Sequence, residues 1–222
     1  MWRDALLVAG KDLRIELRSR VVLNQVAPFA VLVLVLFALA LGPASAPMVE
    51  AAPGLFWLAV LFALVLAVQR SFGVESAEGA RDGLRLSGLD PASIFLGKLA
   101  ATSVQLFVLD ALLVGGVILF YGARVRSPGD LVAAAVAGTI GLAAAGTLYG
   151  AMSAGLRVRD TLLPLLLLPV ASPVLLAGTR AWQAALGTGV AATGPWTEVL
   201  VVFTVIYLAL GVVIYGPLQE AA

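Results

Sequence analysis

Residues 21–41 read VVLNQVAPFAVLVLVLFALAL, and none of these positions carries a charged side chain. A helix needs about 20 apolar residues to cross the hydrocarbon core of a bilayer, so this run has the length and composition of a transmembrane helix. Its apolar residues are continuous rather than alternating, which favours a helix over a strand of a membrane barrel. The stretch therefore predicts an all-α membrane protein.

Five further apolar runs predict a single transmembrane domain over residues 1–222. The six predicted spans cover residues 21–41, 53–70, 94–121, 131–156, 162–178 and 198–216. The fifth run contains three prolines, which allows either one kinked span or a re-entrant pair of half-helices. Residues 180–196 carry Trp182 and Trp196 in an amphipathic pattern, so an interfacial helix is a further alternative there.

The composition excludes several classes of protein. The chain is 61% hydrophobic and 12% charged, whereas a soluble domain carries about 25% charged residues. It has no histidine and no cysteine, which excludes Ser–His hydrolysis, thiolate chemistry and metal sites built on those ligands. A net charge of +1 gives no case for nucleic-acid binding. No phosphate-binding loop or nucleophile elbow is present, so we expect a non-catalytic chain.

The positive charges predict the orientation. With the N-terminus inside, eleven of the 14 Lys and Arg residues lie in cytoplasmic segments. This asymmetry predicts that both termini are cytoplasmic. The first 20 residues are rich in charge and contain no cleavable signal peptide, so the first span is expected to stay as an anchor.

Residues 1–20 predict an amphipathic helix on the cytoplasmic surface. Leu6, Leu13 and Leu17 share one helical stripe, which suits the interfacial region of a bilayer. The charged residues assigned to this helix are Lys11, Arg14, Glu16 and Arg18. The helix serves either as a simple anchor or also as a contact for a cytoplasmic partner.

Residues 71–93 form the longest polar connection between predicted spans. A short, partly apolar helix is predicted before Gly88, and a second helix with Asp90 as its N-cap and Pro91 at its first position. A short helix held just outside the membrane suits docking into a groove of another protein, although an ordinary solvated loop is the alternative. The residues assigned to such a contact are Glu75, Glu78, Gly79, Arg81, Leu84, Leu86, Leu89, Asp90 and Pro91.

Two charged residues fall inside the third predicted span. Asp110 lies near its middle, where an ionised carboxylate costs about 2.5–3.5 kcal/mol on insertion scales. A structural hydrogen bond, to Gln105, to Thr or Ser of another helix, or to a second subunit, is favoured over a substrate path or a proton relay. Lys98 lies near the start of the span, where a lysine can reach the interface along its aliphatic stem.

The fourth predicted span is rich in small residues, which allow helices to approach closely. Packing within one chain is favoured over a dimer contact. The residues are Gly138, Gly141, Gly146 and Gly150.

Several short motifs resemble those of the haem-exporter B family (CcmB), the membrane component of cytochrome c maturation ABC transporters. The resemblance covers nearly the whole chain. The motifs are KDLRIELR at 11–18, APGLFW at 52–57, ESAEG at 75–79, LSGLDP at 86–91 leading to Gly97 and Lys98, and the Leu- and Pro-rich run 162–173. The acidic stretch is shared more broadly with export-type ABC permeases.

The resemblance implies an export-type (ABC-2-like) permease in the bacterial inner membrane. Two copies would pair with two copies of a cytoplasmic ATPase subunit that binds ATP, together with a haem-handling membrane protein and a small accessory membrane protein. The segment from Glu75 to Lys98 would couple the permease to the ATPase. Haem would be the cargo, either carried across or released from a chaperone, with no cofactor or metal held by this chain.

Two alternatives remain open from the sequence. One is an ABC-2-type export permease for a drug, a lipid or a polysaccharide. The other is a proton-driven secondary transporter that uses Asp110, which is less favoured because the two halves show no convincing inverted repeat.

Overall fold

A computed structural model describes residues 1–20, 22–42, 45–77, 88–122, 125–154, 159–188 and 192–221. In these ranges the chain forms seven α-helices and one short π-helix. The helices are α1 (Trp2–Ser19), α2 (Ala27–Leu41), α3 (Ala46–Ala77), α4 (Pro91–Tyr121), α5 (Pro128–Ser153), α6 (Arg159–Leu186) and α7 (Gly194–Ala221), and the π-helix Val22–Val26 leads into α2.

Six of these helices, α2 to α7, are long and apolar enough to cross a membrane, which confirms the predicted all-α polytopic fold. The helix α1 is a separate element that precedes the first of them. The helix α5 contacts α3, α4, α6 and α7 and so lies at the centre of the bundle.

Small residues explain why α5 packs so closely on its neighbours. A Cβ added at Gly146 would meet Leu64 of α3, and one added at Gly150 would meet Val68 and Phe72 of the same helix. A Cβ added at Gly141 would meet Thr204 of α7. At Gly138 it would meet Trp57 of α3. The prediction that these glycines serve packing within one chain is therefore confirmed.

The second membrane helix is longer than the sequence pattern indicated. The predicted span 53–70 lies inside α3, which begins at Ala46. The Ser45 Oγ accepts a hydrogen bond from the Met48 backbone N–H at 3.3 Å and so caps the helix. Pro47 falls in the first turn, where its missing N–H removes no intrahelical hydrogen bond.

The proline-rich run forms one continuous helix. The predicted span 162–178 is part of α6, which contains Pro164, Pro169 and Pro173 and continues to Leu186. Within the described residues, Arg159–Leu186 is a single helix rather than a re-entrant pair of half-helices. Residues 180–186 and 194–196 belong to α6 and α7 rather than to a separate interfacial helix. Trp182 is only 1% exposed because it packs in the bundle, and Trp196 lies in α7.

Candidate functional site

A buried polar contact joins α1, α3 and α4 at one end of the bundle. The Lys98 Nζ of α4 lies 3.3 Å from the Asp12 Oδ2 of α1 and donates to the Ser71 Oγ of α3 at 3.1 Å. The Ser71 hydroxyl in turn lies 3.4 Å from the same Asp12 oxygen. We call Asp12, Ser71 and Lys98 the polar junction.

The polar junction is shielded from solvent. The side chains of Lys98 and Asp12 are 2% and 8% exposed, and the Lys98 ammonium lies 4.6 Å from the centre of the Phe72 ring. The expectation that Lys98 reaches the interface along its stem is therefore wrong. The ammonium stays inside because a carboxylate from a distant part of the sequence pairs with it there.

A second ion pair ties α1 to α3 beside the polar junction. The Arg70 Nε lies 3.6 Å from the Glu16 Oε2, and the Glu16 side chain is 13% exposed. Asp12 also pairs with Lys11 at 3.1 Å. Both acidic residues of this region of α1 thus face the bundle.

A glycine allows α1 to lie directly on α4. A Cβ added at Gly97 would lie 2.6 Å from the Ala5 carbonyl oxygen and 2.6 Å from the Val8 Cβ. Real Cβ atoms essentially never approach so closely. The close approach at Gly97, one residue before Lys98, therefore requires that no side chain be present.

The helix α1 has a buried face that the sequence analysis missed. Ala5, Val8, Ala9 and Asp12 are buried, whereas Leu6 and Leu17 of the predicted apolar stripe are 73% and 69% exposed. The stripe therefore points away from the bundle. Of the predicted charged residues, Arg14 and Arg18 are exposed, while Lys11 and Glu16 are partly buried.

The predicted contact segment, residues 71–93, is described by the structure only at its two ends, residues 71–77 and 88–93. Glu78, Gly79, Arg81, Leu84 and Leu86 lie outside the described residues. Glu75 belongs to the last turn of α3, which extends further than the predicted limit at residue 70.

The start of α4 matches the prediction. Asp90 is the N-cap of this helix, its Oδ1 accepts a hydrogen bond from the Ala92 backbone N–H at 3.4 Å, and Pro91 occupies the first turn. Leu89 packs against the hydrophobic core. The second end of the segment is thus anchored at the membrane helix that carries Lys98.

Asp110 makes a hydrogen bond within the bundle. The Thr139 Oγ1 of α5 donates to the Asp110 Oδ2 at 2.8 Å, and Asp110 is 5% exposed. The other carboxylate oxygen has no partner within the part of the chain that the structure describes. A hydrogen bond to a threonine of another helix is the structural role that the sequence analysis favoured.

The APGLFW motif places a tryptophan between two membrane helices. Trp57 is fully buried, and a Cβ at Gly138 of α5 or Gly178 of α6 would collide with its indole ring. Phe56 stacks on Trp182 with ring centres 3.8 Å apart. The motif therefore fixes the spacing of α3, α5 and α6.

The sequence analysis did not identify Asp12, Arg70 and Ser71 as site residues. Asp12 lies on the face of α1 that also carries Ala5, Val8 and Glu16, a pattern of small and acidic residues distinct from the leucine stripe. That second face was the available signal. Nothing local to Arg70 or Ser71 marks either as the partner of a residue more than 50 positions away.

The described residues contain no group of three or more His, Cys, Asp or Glu side chains that could hold a metal ion. Tyr121 of α4 donates its hydroxyl to the Leu34 carbonyl of α2 at 3.1 Å. The polar junction is a set of contacts between helices.

Comparison with known proteins gives consistent matches along the chain. A family model described as CcmB protein matches residues 3–216. Heme exporter protein B of Pseudomonas aeruginosa is 30% identical over 184 residues, which is 81% of each chain. The protein of the same name from Paracoccus denitrificans is 28% identical over 93% of each chain. That from Escherichia coli K12 is 29% identical over 78% of this chain and 79% of the relative.

Proposed function

The chain belongs to the CcmB family, and from this premise we propose that it is the membrane permease subunit of an ABC transporter for cytochrome c maturation. Haem is the proposed cargo, either exported or released from a chaperone. The matched relatives carry the name heme exporter protein B and align over most of this chain. The observation that carries the proposal is this full-length match together with six helices long enough to span a membrane.

The proposed partners follow from the same membership. Two copies of this chain would assemble with two copies of a cytoplasmic ATPase, which binds and hydrolyses ATP. A haem-handling membrane protein and a small accessory membrane protein would complete the complex. The asymmetry of Lys and Arg residues supports an orientation with both termini cytoplasmic, and the family membership supports a bacterial inner-membrane location.

The connection 71–93 is the proposed contact with the ATPase. Its two stems are the end of α3 and the start of α4, both long helices that reach across the bundle. Glu75, Glu78 and the residues up to Pro91 would lie in or beside a groove of the ATPase. A helix or loop held between two rigid stems is suited to transmit a displacement from a soluble partner into the membrane.

The test of the proposed function is purification of the tagged chain from its native membrane in mild detergent, followed by mass spectrometry. We expect an ATPase and cytochrome c maturation proteins to accompany it. Recovery of an ATPase alone would retain the permease and favour another cargo, such as a drug, a lipid or a polysaccharide. Absence of any ATPase, under conditions that keep other complexes intact, would contradict the proposal.

Glu78→Lys tests the contact segment. We expect ATP hydrolysis to be uncoupled from cytochrome maturation while the membrane abundance of the chain stays normal, because the charge reversal lies on the proposed contact. Glu50→Lys is the matched control, since Glu50 is exposed near the other end of α3. Normal maturation in the Glu78 variant would count against the contact.

A further inference from the structure

The polar junction lies where both stems of the contact segment meet α1. Ser71 is on α3, which ends at Ala77, and Lys98 is on α4, which begins at Pro91. Asp12 reaches both of them from α1. One carboxylate therefore links the incoming stem, the outgoing stem and the N-terminal helix.

The energetics of this contact indicate a role other than stability. Removing two charges from water is costly, and replacing a buried ion pair by apolar side chains of similar volume is often neutral or stabilising. A buried pair of this kind has its best-attested use in fixing the register between packed elements. The pair also restricts how α1 and α3 can lie against α4, because the Lys98 ammonium must meet the Asp12 carboxylate of α1 and the Ser71 hydroxyl of α3.

Two neighbouring contacts act on the same helices. Gly97 lets the α1 backbone lie against α4, and the Glu16–Arg70 pair joins α1 to α3. The chain continues from α1 through Arg20, in a left-handed conformation with φ of 52°, into the π-helix before α2. A displacement of α1 is therefore passed to the first membrane helix.

We propose that Asp12 is a positioning residue, which holds α1 and the two stems of the contact segment in one register so that they move as a unit. Movement of the end of α3 and the start of α4, driven by the ATPase, then also reaches α2 through α1. This inference rests on the proposed function only for the source of the movement. The register itself is a property of the chain alone.

The test uses a double variant, Asp12→Leu with Lys98→Met, in the whole complex. The apolar pair has a similar branching and length and leaves no buried charge without a partner, because Lys11, which also pairs with Asp12, is partly exposed to water. The Ser71 hydroxyl can bond a backbone carbonyl of its own helix. We expect normal membrane abundance but a several-fold rise in the ATP hydrolysed per cytochrome matured, because hydrolysis continues while less of the movement that it drives reaches α2. Unchanged coupling would overturn the proposal.

A matched control separates this effect from a general loss of polar contacts. Asp130 of α5 accepts a hydrogen bond from Thr193 at 3.1 Å at the opposite end of the bundle. Asp130→Leu with Thr193→Val removes another polar contact between elements, a partly buried hydrogen bond rather than a buried ion pair, and should leave coupling unchanged. An equal loss of coupling in both double variants would refute a specific role for Asp12.

Spin-label distances test the register without the ATPase. The chain has no cysteine, so labels can be placed at Arg14→Cys on α1 and Ala100→Cys on α4, both exposed. We expect one narrow distance distribution in the parent chain and a broad one in the Asp12→Leu, Lys98→Met background. A narrow, unchanged distribution in that background overturns the inference, whereas failure to recover an ATPase refutes only the proposed function.

Discussion

Substitution of Gly97 by alanine should detach α1 from the bundle. The new Cβ would lie 2.6 Å from the Ala5 carbonyl oxygen, a backbone atom that cannot rotate out of the way. Relief of the clash therefore requires a shift of the whole helix α1. Val8, whose Cβ lies equally close, blocks a sideways movement along the same face.

The expected size of the effect follows from the cost of overpacking. An extra methyl group in a well-packed interior costs about 1–3 kcal/mol. Alanine favours a helix more than glycine does, but this preference does not change the equilibrium between attached and detached α1. The reason is that α4 is helical in both states. The fraction of molecules with α1 detached should therefore rise about 5- to 150-fold, since about 1.4 kcal/mol corresponds to a factor of ten.

A single cysteine at Ala9 reports this opening. Ala9 is buried on the attached face of α1, and the chain has no other cysteine, so a maleimide reacts only when α1 detaches. The rate of labelling in detergent measures the detached fraction. The rate should rise in the Gly97→Ala background by the factor above.

Gly115→Ala is the matched control on the same helix. A Cβ at Gly115 meets no atom within 4 Å, so this change brings the same methyl group to α4 without a clash. Its labelling rate should equal that of the parent chain. Equal rates for the Gly97 and Gly115 variants would refute the close packing of α1 on α4.

Two further predictions concern the interior of the bundle. Asp110→Asn should leave membrane abundance and cytochrome maturation near normal, because the amide oxygen still accepts the Thr139 hydrogen bond; total loss of maturation at normal abundance would instead indicate a path or a proton relay. Gly138→Ala should lower the melting temperature by about 2–4 °C for each kcal/mol of overpacking, because the new methyl group meets the Trp57 Cζ3 at 2.7 Å. Gly129→Ala, in the same helix with open space around it, should not lower that temperature, and a similar fall there would contradict the explanation.

The number and type of the membrane helices were predictable because their signal is local. Each run of apolar residues is long enough to cross a bilayer on its own, whatever it packs against. The helix limits were less predictable at prolines. The predicted second span began at residue 53, yet Ser45 caps α3 and places Pro47 in its first turn, where a proline is tolerated.

The polar junction was not predictable because its members are far apart in the sequence. Lys98 and Asp12 are 86 positions apart, and a lysine near the end of a span ordinarily reaches the interface. The leucine stripe of α1 lies on its exposed face. The face attached to the bundle carries mainly alanine and valine, which give a weaker signal in the sequence. Asp110 was easier to interpret, since any carboxylate in mid-span needs a hydrogen-bond partner on a neighbouring helix.

The order of synthesis determines when each of the two charged residues of α4, Lys98 and Asp110, can meet its partner. Asp12 has left the ribosome long before Lys98, so the ammonium meets its acceptor as soon as α4 enters the bilayer. Thr139 follows Asp110 by 29 positions, so this carboxylate has no Thr139 to meet until α5 has been made. The packing of α5 on α4, rather than the insertion of α4 itself, therefore supplies the hydrogen bond that Asp110 accepts.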